Sequence, residues 1–376
     1  MSHNSMVRYP VARPRLVGTD AILPYLRRID ENQYYSNFGP MVREVEARLA
    51  ERFGLPVECV TTVSNATAGL TAALAAATRL RLRNVNDGPA YCLLPAWTFV
   101  ASLHAVVGTG LEPYLLDVDE ASWQLTPEIA EEALARIPGQ PVAVMPVSPF
   151  GRPVDIAAWD AFGKRTGLAV VVDAAAAYDR SVAGDSPLVV SLHATKALAA
   201  GEGGFVVSHD AAMIEEIRKC INFGFYGTRV ALSRAINGKM SEYHAAITLA
   251  AMDAWPQTRR GFADIATGYQ DAFRDDNHWT LLPAAEDEHV GSTVLLVGDE
   301  PLPDGFDSRL AGLGVETRRW WGGGIHEQVA YRRFSSDPVP VTASLAARSI
   351  GLPCYPGLDR EGIQEIRRCV AAALAG

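Results

Sequence analysis

The chain has 376 residues, 48% hydrophobic and 20% charged, which fits one large globular domain and one smaller one. Its net charge of −9, with no block of five like charges, argues against a nucleic-acid surface, and no run of 18 apolar residues suggests a membrane span. Five scattered cysteines with no C-x-x-C pair predict reduced thiols, with neither a zinc site nor a disulfide framework, and the N-terminus lacks the basic and apolar regions of a signal peptide; a cytoplasmic location is expected.

Residues 43–53 read as an amphipathic helix stopped by Gly54. Short apolar runs then alternate with helical stretches. Strands are expected at Tyr91–Leu94, Pro113–Asp117, Val142–Val147, Ala169–Asp173, Val189–Leu192 and Phe205–Ser208. Helices are expected at Ala66–Arg79, Phe99–Val107, Pro127–Arg136, Ile156–Thr166 and Ala211–Asn222. That alternation predicts an α/β fold with a mostly parallel sheet covered by helices on both faces. A long helix over 241–273 bridges to a smaller C-terminal α/β domain. This has a strand at Ser292–Val297, a helix at Asp307–Leu313, a strand at Val315–Arg318 and a final helix at Arg360–Leu374.

In sheets of this kind ligands bind beyond the carboxyl ends of the strands, and Asp173 lies at one such end. Lys196 follows 23 residues later in Ser191-Leu-His-Ala-Thr-Lys196, ahead of Gly201-Glu-Gly-Gly204. A lysine can hold an aldehyde cofactor as a Schiff base, and a carboxylate can keep a pyridine nitrogen protonated. Together they meet the two demands of pyridoxal 5′-phosphate (PLP) chemistry; alone, such a lysine reads as a solvated residue beside a turn.

The Ser191–Gly204 segment resembles the S-F-H-x-x-K-x-x-x-x-G-E-G-G signature of the DegT/DnrJ/EryC1/StrS nucleotide-sugar aminotransferases, fold-type I PLP enzymes, and the resemblance runs from about Leu16 to the C-terminus. It implies a PLP-binding large domain over 16–255, preceded by an extended or partly disordered segment 1–15, and a smaller domain over 256–376. Val63-Ser-Asn-Ala-Thr-Ala-Gly-Leu70 is similar to the family's S-G-T-A-A-L and places the amide of Ala66 and the amide and hydroxyl of Thr67 on the phosphate; the same atoms would serve a plain helix cap. The segment Leu94–Ser102 resembles P-x-x-T-F-V-A-T, which puts Phe99 on the pyridine ring, a contact supplying about 0.5–1.5 kcal/mol beyond burial; an aromatic pair in the core is the alternative. Ser191 is implied as a phosphate ligand. His193 is either a site contact or a structural histidine, and Glu202 supports the loop. Asn237-Gly-Lys-Met-Ser-Glu242 resembles G-x-N-Y-R-M-x-E, whose Asn reaches the neighbouring subunit's phosphate. Asn237 is thus either a contact across a homodimer or part of a helix start. Where the family has D-x-A-H or D-x-A-Q, this chain has Asp173-Ala-Ala-Ala176, so either water or another group faces the cofactor's phenolic oxygen or the cofactor's electronics differ.

For substrate binding the resemblance points to Arg318, Arg319, Trp320 and His326 in a basic-aromatic loop, with Arg229 as a second phosphate candidate; each is also readable as structural. The activity implied is transamination through pyridoxamine 5′-phosphate, with glutamate as donor. The acceptor is a dTDP-linked 4-keto-6-deoxyglucose of antibiotic-sugar pathways, or a 3-keto sugar. A PLP-dependent sugar dehydratase, which carries His in place of the lysine, and a non-catalytic PLP-binding regulator are the rivals.

Overall fold

The computed structural model describes residues 7–79, 88–276, 278–283 and 289–375. Two helices, α1 (Thr19–Asn32) and α2 (Pro40–Phe53), lead into β1 (Val60–Val63) and α3 (Ala66–Thr78). Then follow β2 (Ala90–Pro95), α4 (Val100–Gly108), β3 (Glu112–Leu116), α5 (Pro127–Ala133), β4 (Gln140–Val144) and α6 (Ile156–Thr166). The first half closes with β5 (Ala169–Val170), β6 (Val172–Asp173), β7 (Leu188–Ser191), β8 (Gly204–Val207) and α7 (Ala211–Ile221).

Strands β2 to β5 pair in parallel in the order β3-β2-β4-β5, and β6 pairs in parallel with β7. The two groups join through the run 169–173: Val171 N–H donates to Val144 O at 3.1 Å and Asp173 N–H to Pro146 O at 2.9 Å. Only β8 breaks the parallel sense, lying antiparallel to both β7 and β1. The strands are apolar without alternation because both faces are covered. Val170, Val172, Val190 and Phe205 pack on one side with Leu49 of α2, Trp159 and Phe162 of α6 and Leu249. Val171, Val189 and Val206 pack on the other with Leu70 and Leu74 of α3, Leu103 of α4 and Ile217 of α7. Phe162 is fully buried, and truncating it to Ala would cost roughly 3–5 kcal/mol.

Helix α8 (Glu242–Phe273) is 32 residues long. It gives Ala245 and Leu249 to the first core and Phe262, Ile265, Tyr269 and Phe273 to a second one. The second core lies under an antiparallel sheet, β12-β10-β9, made by β9 (Trp279–Leu282), β10 (Val294–Gly298) and β12 (Ser349–Leu352). Helices α9 (Phe306–Gly312), α10 (Pro340–Arg348) and α11 (Arg360–Ala375) complete this half, and the two-residue β11 (Ser335–Ser336) returns to pair with β3. The expected strand over Val315–Arg318 does not form. Val315 bridges Tyr9 and Arg318 bridges Gly351 as isolated pairs, because the segment lies between the N-terminal residues and β12 rather than in a ladder. Among the described residues no helix is long and apolar enough to cross a membrane, and no cluster of His, Cys, Asp and Glu could hold a metal ion.

Candidate active site

A cavity of about 860 Å³ opens beyond the carboxyl ends of β6 and β7, between the large sheet and the smaller half. Lys196 and Asp173 both line it. Asp173 ends β6 and is 5% exposed. Lys196 sits on a loop tied at its neck by Leu192 N–H to Gly203 O (3.0 Å) and Ala194 N–H to Gly201 O (2.9 Å). Gly201 and Gly203 take φ values of +85° and +146°, open to glycine and rarely to other residues. At Gly204 a Cβ would stand 3.1 Å from the amide of Ala66 and 2.8 Å from Val190 O, so the glycine run lets the lysine loop close against the start of α3.

Asp173 Oδ2 accepts a hydrogen bond from Ser102 Oγ at 2.7 Å, and Oδ1 accepts from Ala175 N–H at 3.1 Å. Burial raises the carboxyl above its ordinary pKa, opposed by the Ser102 hydroxyl, the Ala175 amide and the charge of Lys196. Burial lowers the Lys196 amine below its ordinary value, opposed by Asp173. A less basic amine is the form that attacks an aldehyde and takes up a proton.

The start of α3 faces the same space. Asn65 caps the helix, its Oδ1 accepting from Ala68 N–H at 2.9 Å. The amides of Ala66 and Thr67, which line the cavity, find no partner among the described residues, leaving a helix N-terminus with two free donors. Ser191 lines the cavity too, and its Oγ accepts from His193 N–H at 3.2 Å. Phe99 precedes α4 and shows 56% of its surface, in part to the cavity. Ser148 is 4% exposed, lines the cavity, and its Oγ has no hydrogen-bond partner among the described residues. Ala176 lines it as well and brings no polar side-chain atom. A ring with a basic nitrogen, a phenolic oxygen, an aldehyde and a phosphate would use each of these groups: the carboxylate, the orphaned hydroxyl, the amine and the free amides. The residues therefore fit PLP.

The remaining predicted residues divide. His193 lines the cavity, with Nδ1 2.9 Å from Thr195 Oγ1 and Nε2 3.8 Å from Glu202. Trp320 lines it, backed by Arg318, whose guanidinium lies 4.9 Å from the indole centroid and 3.7 Å from Glu316. Arg318 itself is not among the lining residues. Arg319 turns away: Nε donates to Asp307 at 3.1 Å and Nη1 to Ala346 O at 3.0 Å, tying α9 to the end of α10. His326 lies in a short 3₁₀ turn outside the cavity, and Arg229 sits in an exposed loop beside Val230 and Leu232. Asn237 lies outside its own chain's cavity, although its neighbour Ile236 lines it. Its Oδ1 accepts from Lys239 Nζ at 2.8 Å, and its amide N–H₂ has no partner among the described residues.

Sequence reasoning missed several lining residues. Trp321 stacks on Phe150 at 4.0 Å between centroids and meets Trp97 edge-on at 5.0 Å, giving the cavity an aromatic wall. Arg13 and Arg15 enter from the N-terminal segment, which carries no motif of its own. Ser102 was part of a recognised segment; only its bond to Asp173 assigns it a role.

The model of the DegT/DnrJ/EryC1/StrS aminotransferase family matches residues 18–371. A dTDP-4-amino-4,6-dideoxy-D-glucose transaminase of Shigella dysenteriae is 32% identical over 367 residues, 95% of this chain and 96% of its own. The crystal structure of DesI in the presence of its TDP-sugar product is 30% identical, with a TM-score of 0.85 over 97% of this chain and 93% of that one. A Bacillus cereus ATCC 10987 protein, solved as a candidate PLP-dependent aminotransferase, is 27% identical, with a TM-score of 0.86 over 96% of this chain and 99% of that one.

Proposed function

The chain belongs to the DegT/DnrJ/EryC1/StrS aminotransferase family, a PLP-dependent enzyme of the nucleotide-sugar group, and from that premise we propose that it moves an amino group from glutamate to a dTDP-linked 4-keto-6-deoxy-D-glucose, giving dTDP-4-amino-4,6-dideoxy-D-glucose. The observation that carries the reading is the meeting of Lys196 and Asp173 in one cavity, each with its basicity shifted by burial. The relative from Shigella and the DesI structure determined in the presence of its TDP-sugar product support the choice of sugar.

Bound PLP supplies an electron-accepting ring and a carbon that carries the amine between donor and acceptor. Asp173 holds a proton at the ring nitrogen, and Ser102 and the Ala175 amide, by donating to its carboxylate, oppose the upward pKa shift that burial imposes. Lys196 Nζ would hold the cofactor at its aldehyde carbon, and as a free amine it would take up the proton from the donor's α-carbon. The amides of Ala66 and Thr67, with the hydroxyls of Thr67 and Ser191, bind the phosphate at the positive end of α3. Phe99 covers a ring face. Ser148 Oγ serves the phenolic oxygen, which Ala176 cannot reach with a polar group. The active unit is a homodimer, with Asn237 donating to the phosphate of the second subunit.

Purified protein should be yellow and lose that colour when glutamate is added. Mass spectrometry against dTDP- and UDP-linked 4-keto and 3-keto sugars, with NMR of the product, then identifies the acceptor. Absence of amination across the panel, with a responsive cofactor, would overturn the sugar assignment; a cofactor unresponsive to every amino donor would overturn transamination itself.

A further inference from the structure

The N-terminal residues are fastened along the smaller half. Arg8 and Tyr9 N–H both donate to Gly314 O at 2.9 Å, and Glu316 N–H donates to Tyr9 O at 2.9 Å. Val11 N–H donates to Glu316 Oε2 at 3.0 Å, and Cys354 N–H donates to Val11 O at 3.1 Å. Val11 is 2% exposed, so its side chain is an anchor. The chain then runs Ala12-Arg13-Pro14-Arg15 across the cavity, and all four residues line it. Pro14 fixes its own φ and biases Arg13 toward an extended backbone, which stiffens this strap.

Arg13 and Arg15 are exposed, and neither guanidinium has a hydrogen-bond or ion-pair partner among the described residues. Among the described residues the only other Lys or Arg lining the cavity is Lys196, which is committed to the cofactor. In a chain of net charge −9, two unpaired guanidinium groups held at the mouth of one cavity form a local positive field. Arg13 acts within that space: its charge opposes the upward shift that burial gives the Tyr355 hydroxyl, and Tyr355 lines the cavity. Arg319, the other strong candidate, is occupied by Asp307 and two carbonyls.

We infer that Arg13 and Arg15 are the diphosphate-binding groups for the acceptor substrate: a clamp built on the strap, facing the aromatic wall of Phe150, Trp320 and Trp321. Planar guanidinium forks bind phosphate oxygens in pairs, and with no internal ion pair to break, these two can do so without loss. This inference rests on the acceptor being a sugar nucleotide. It adds that its anionic part is read by the N-terminal segment of the same chain.

The test is titration of the PLP-loaded enzyme with dTDP, followed by calorimetry, for wild type, Arg13→Gln/Arg15→Gln and Arg13→Lys/Arg15→Lys. The double Gln variant should bind dTDP at least about tenfold more weakly, with a shallower salt dependence. The double Lys variant should recover part of the affinity, because charge returns but the fork does not. Equal dTDP affinity in wild type and the Gln variant, both yellow and folded, overturns the clamp while leaving the sugar-nucleotide reading intact. Weakened glutamate response with unchanged dTDP affinity also overturns it, assigning the arginines to the donor's carboxylates. Failure of wild type to bind dTDP, UDP or any sugar nucleotide removes the premise, and the clamp with it.

Discussion

Ser102, in the first turn of α4, donates its hydroxyl to Asp173 Oδ2 at 2.7 Å, and Thr98 Oγ1, 2.8 Å from Ser102 Oγ, completes a hydroxyl relay behind the carboxylate. With Ser102 donating to Asp173, Thr98 must donate to Ser102. The relay opposes the upward pKa shift that burial imposes on Asp173. Ser102→Ala removes that opposition, so the carboxyl titrates at higher pH and less of it is ionised at a given acidic pH. The acid limb of the kcat/KM profile should move to higher pH, and kcat/KM at its optimum should fall roughly tenfold for loss of a charge-assisted bond. An acid limb identical to wild type would show that another group sets it.

Asp173→Asn is the limit of that series. The variant should retain PLP through the phosphate site and Lys196 while turnover drops by orders of magnitude, because no anion remains to hold the ring proton. A loss under about tenfold, roughly 1.4 kcal/mol, would mean the proton is held elsewhere.

Lys196→Ala should abolish the covalent link to PLP and turnover, with PLP retained only noncovalently. The stability effect has a definite sign. Burial lowers the Lys196 pKa below the ordinary 10.5, so the unfolded chain binds the proton more readily than the folded one. The resulting cost to folding is full below the folded pKa and fades as pH rises toward 10.5. In cofactor-free protein at neutral pH, Lys196→Met should therefore raise Tm by a few degrees, corresponding to roughly 1–2 kcal/mol for a half-buried ammonium. The gain should shrink in alkaline buffer. Thermal melts at neutral and alkaline pH decide it.

The strands that carry the site were legible because they are covered on both faces and so read as unbroken apolar runs, and the Ser191–Gly204 segment was legible because its glycines answer a local backbone demand. What escaped depends on distant partners. Helix α1 contains Pro24 and has only one fully buried residue, Ile29, so its sequence carries a weak periodic signal. Strand β1 is four residues of Val and Thr that become buried only beside β8. Val315–Arg318 has strand-like composition, yet the competing contacts of Tyr9 and Gly351 take it out of any ladder. Arg319 looked like a substrate ligand because nothing local announces Asp307 as its partner. Arg13 and Arg15 carry no local signal, since their place is set by bonds to residues some 300 positions away.

Ser148 is buried with an unpartnered hydroxyl in the wall that also holds Ala176. If that hydroxyl serves the phenolic oxygen, Ser148→Ala should change the visible spectrum of the PLP-loaded protein, displace the pH at which its colour titrates, and speed PLP loss by roughly fivefold to tenfold. Adding Ala176→Gln to that variant should restore part of the affinity and move the colour titration back. A spectrum and PLP off-rate unchanged in Ser148→Ala would place the hydroxyl outside cofactor contact.

The last prediction concerns Asn237 and the second subunit. Its side chain is outside its own chain's cavity, with Oδ1 held by Lys239 Nζ, which in turn lies 4.3 Å from the Phe223 ring centroid. Around it the loop exposes Phe223, Tyr226, Val230, Leu232 and Ile236, an apolar surface suited to burial against a copy of the chain. In a two-fold dimer each site would then combine Lys196 of one protomer with Asn237 of its partner. Asn237→Asp sets a carboxylate against the phosphate and should weaken PLP binding beyond mere loss of a hydrogen bond. Mixing inactive Lys196→Ala with inactive Asn237→Asp protein should restore activity, because a mixed dimer has one site with both defects and one with neither. If subunit exchange is verified by mass spectrometry and no activity returns, Asn237 serves its own chain. If Asn237→Asp alone binds PLP and turns over normally, the contact does not exist.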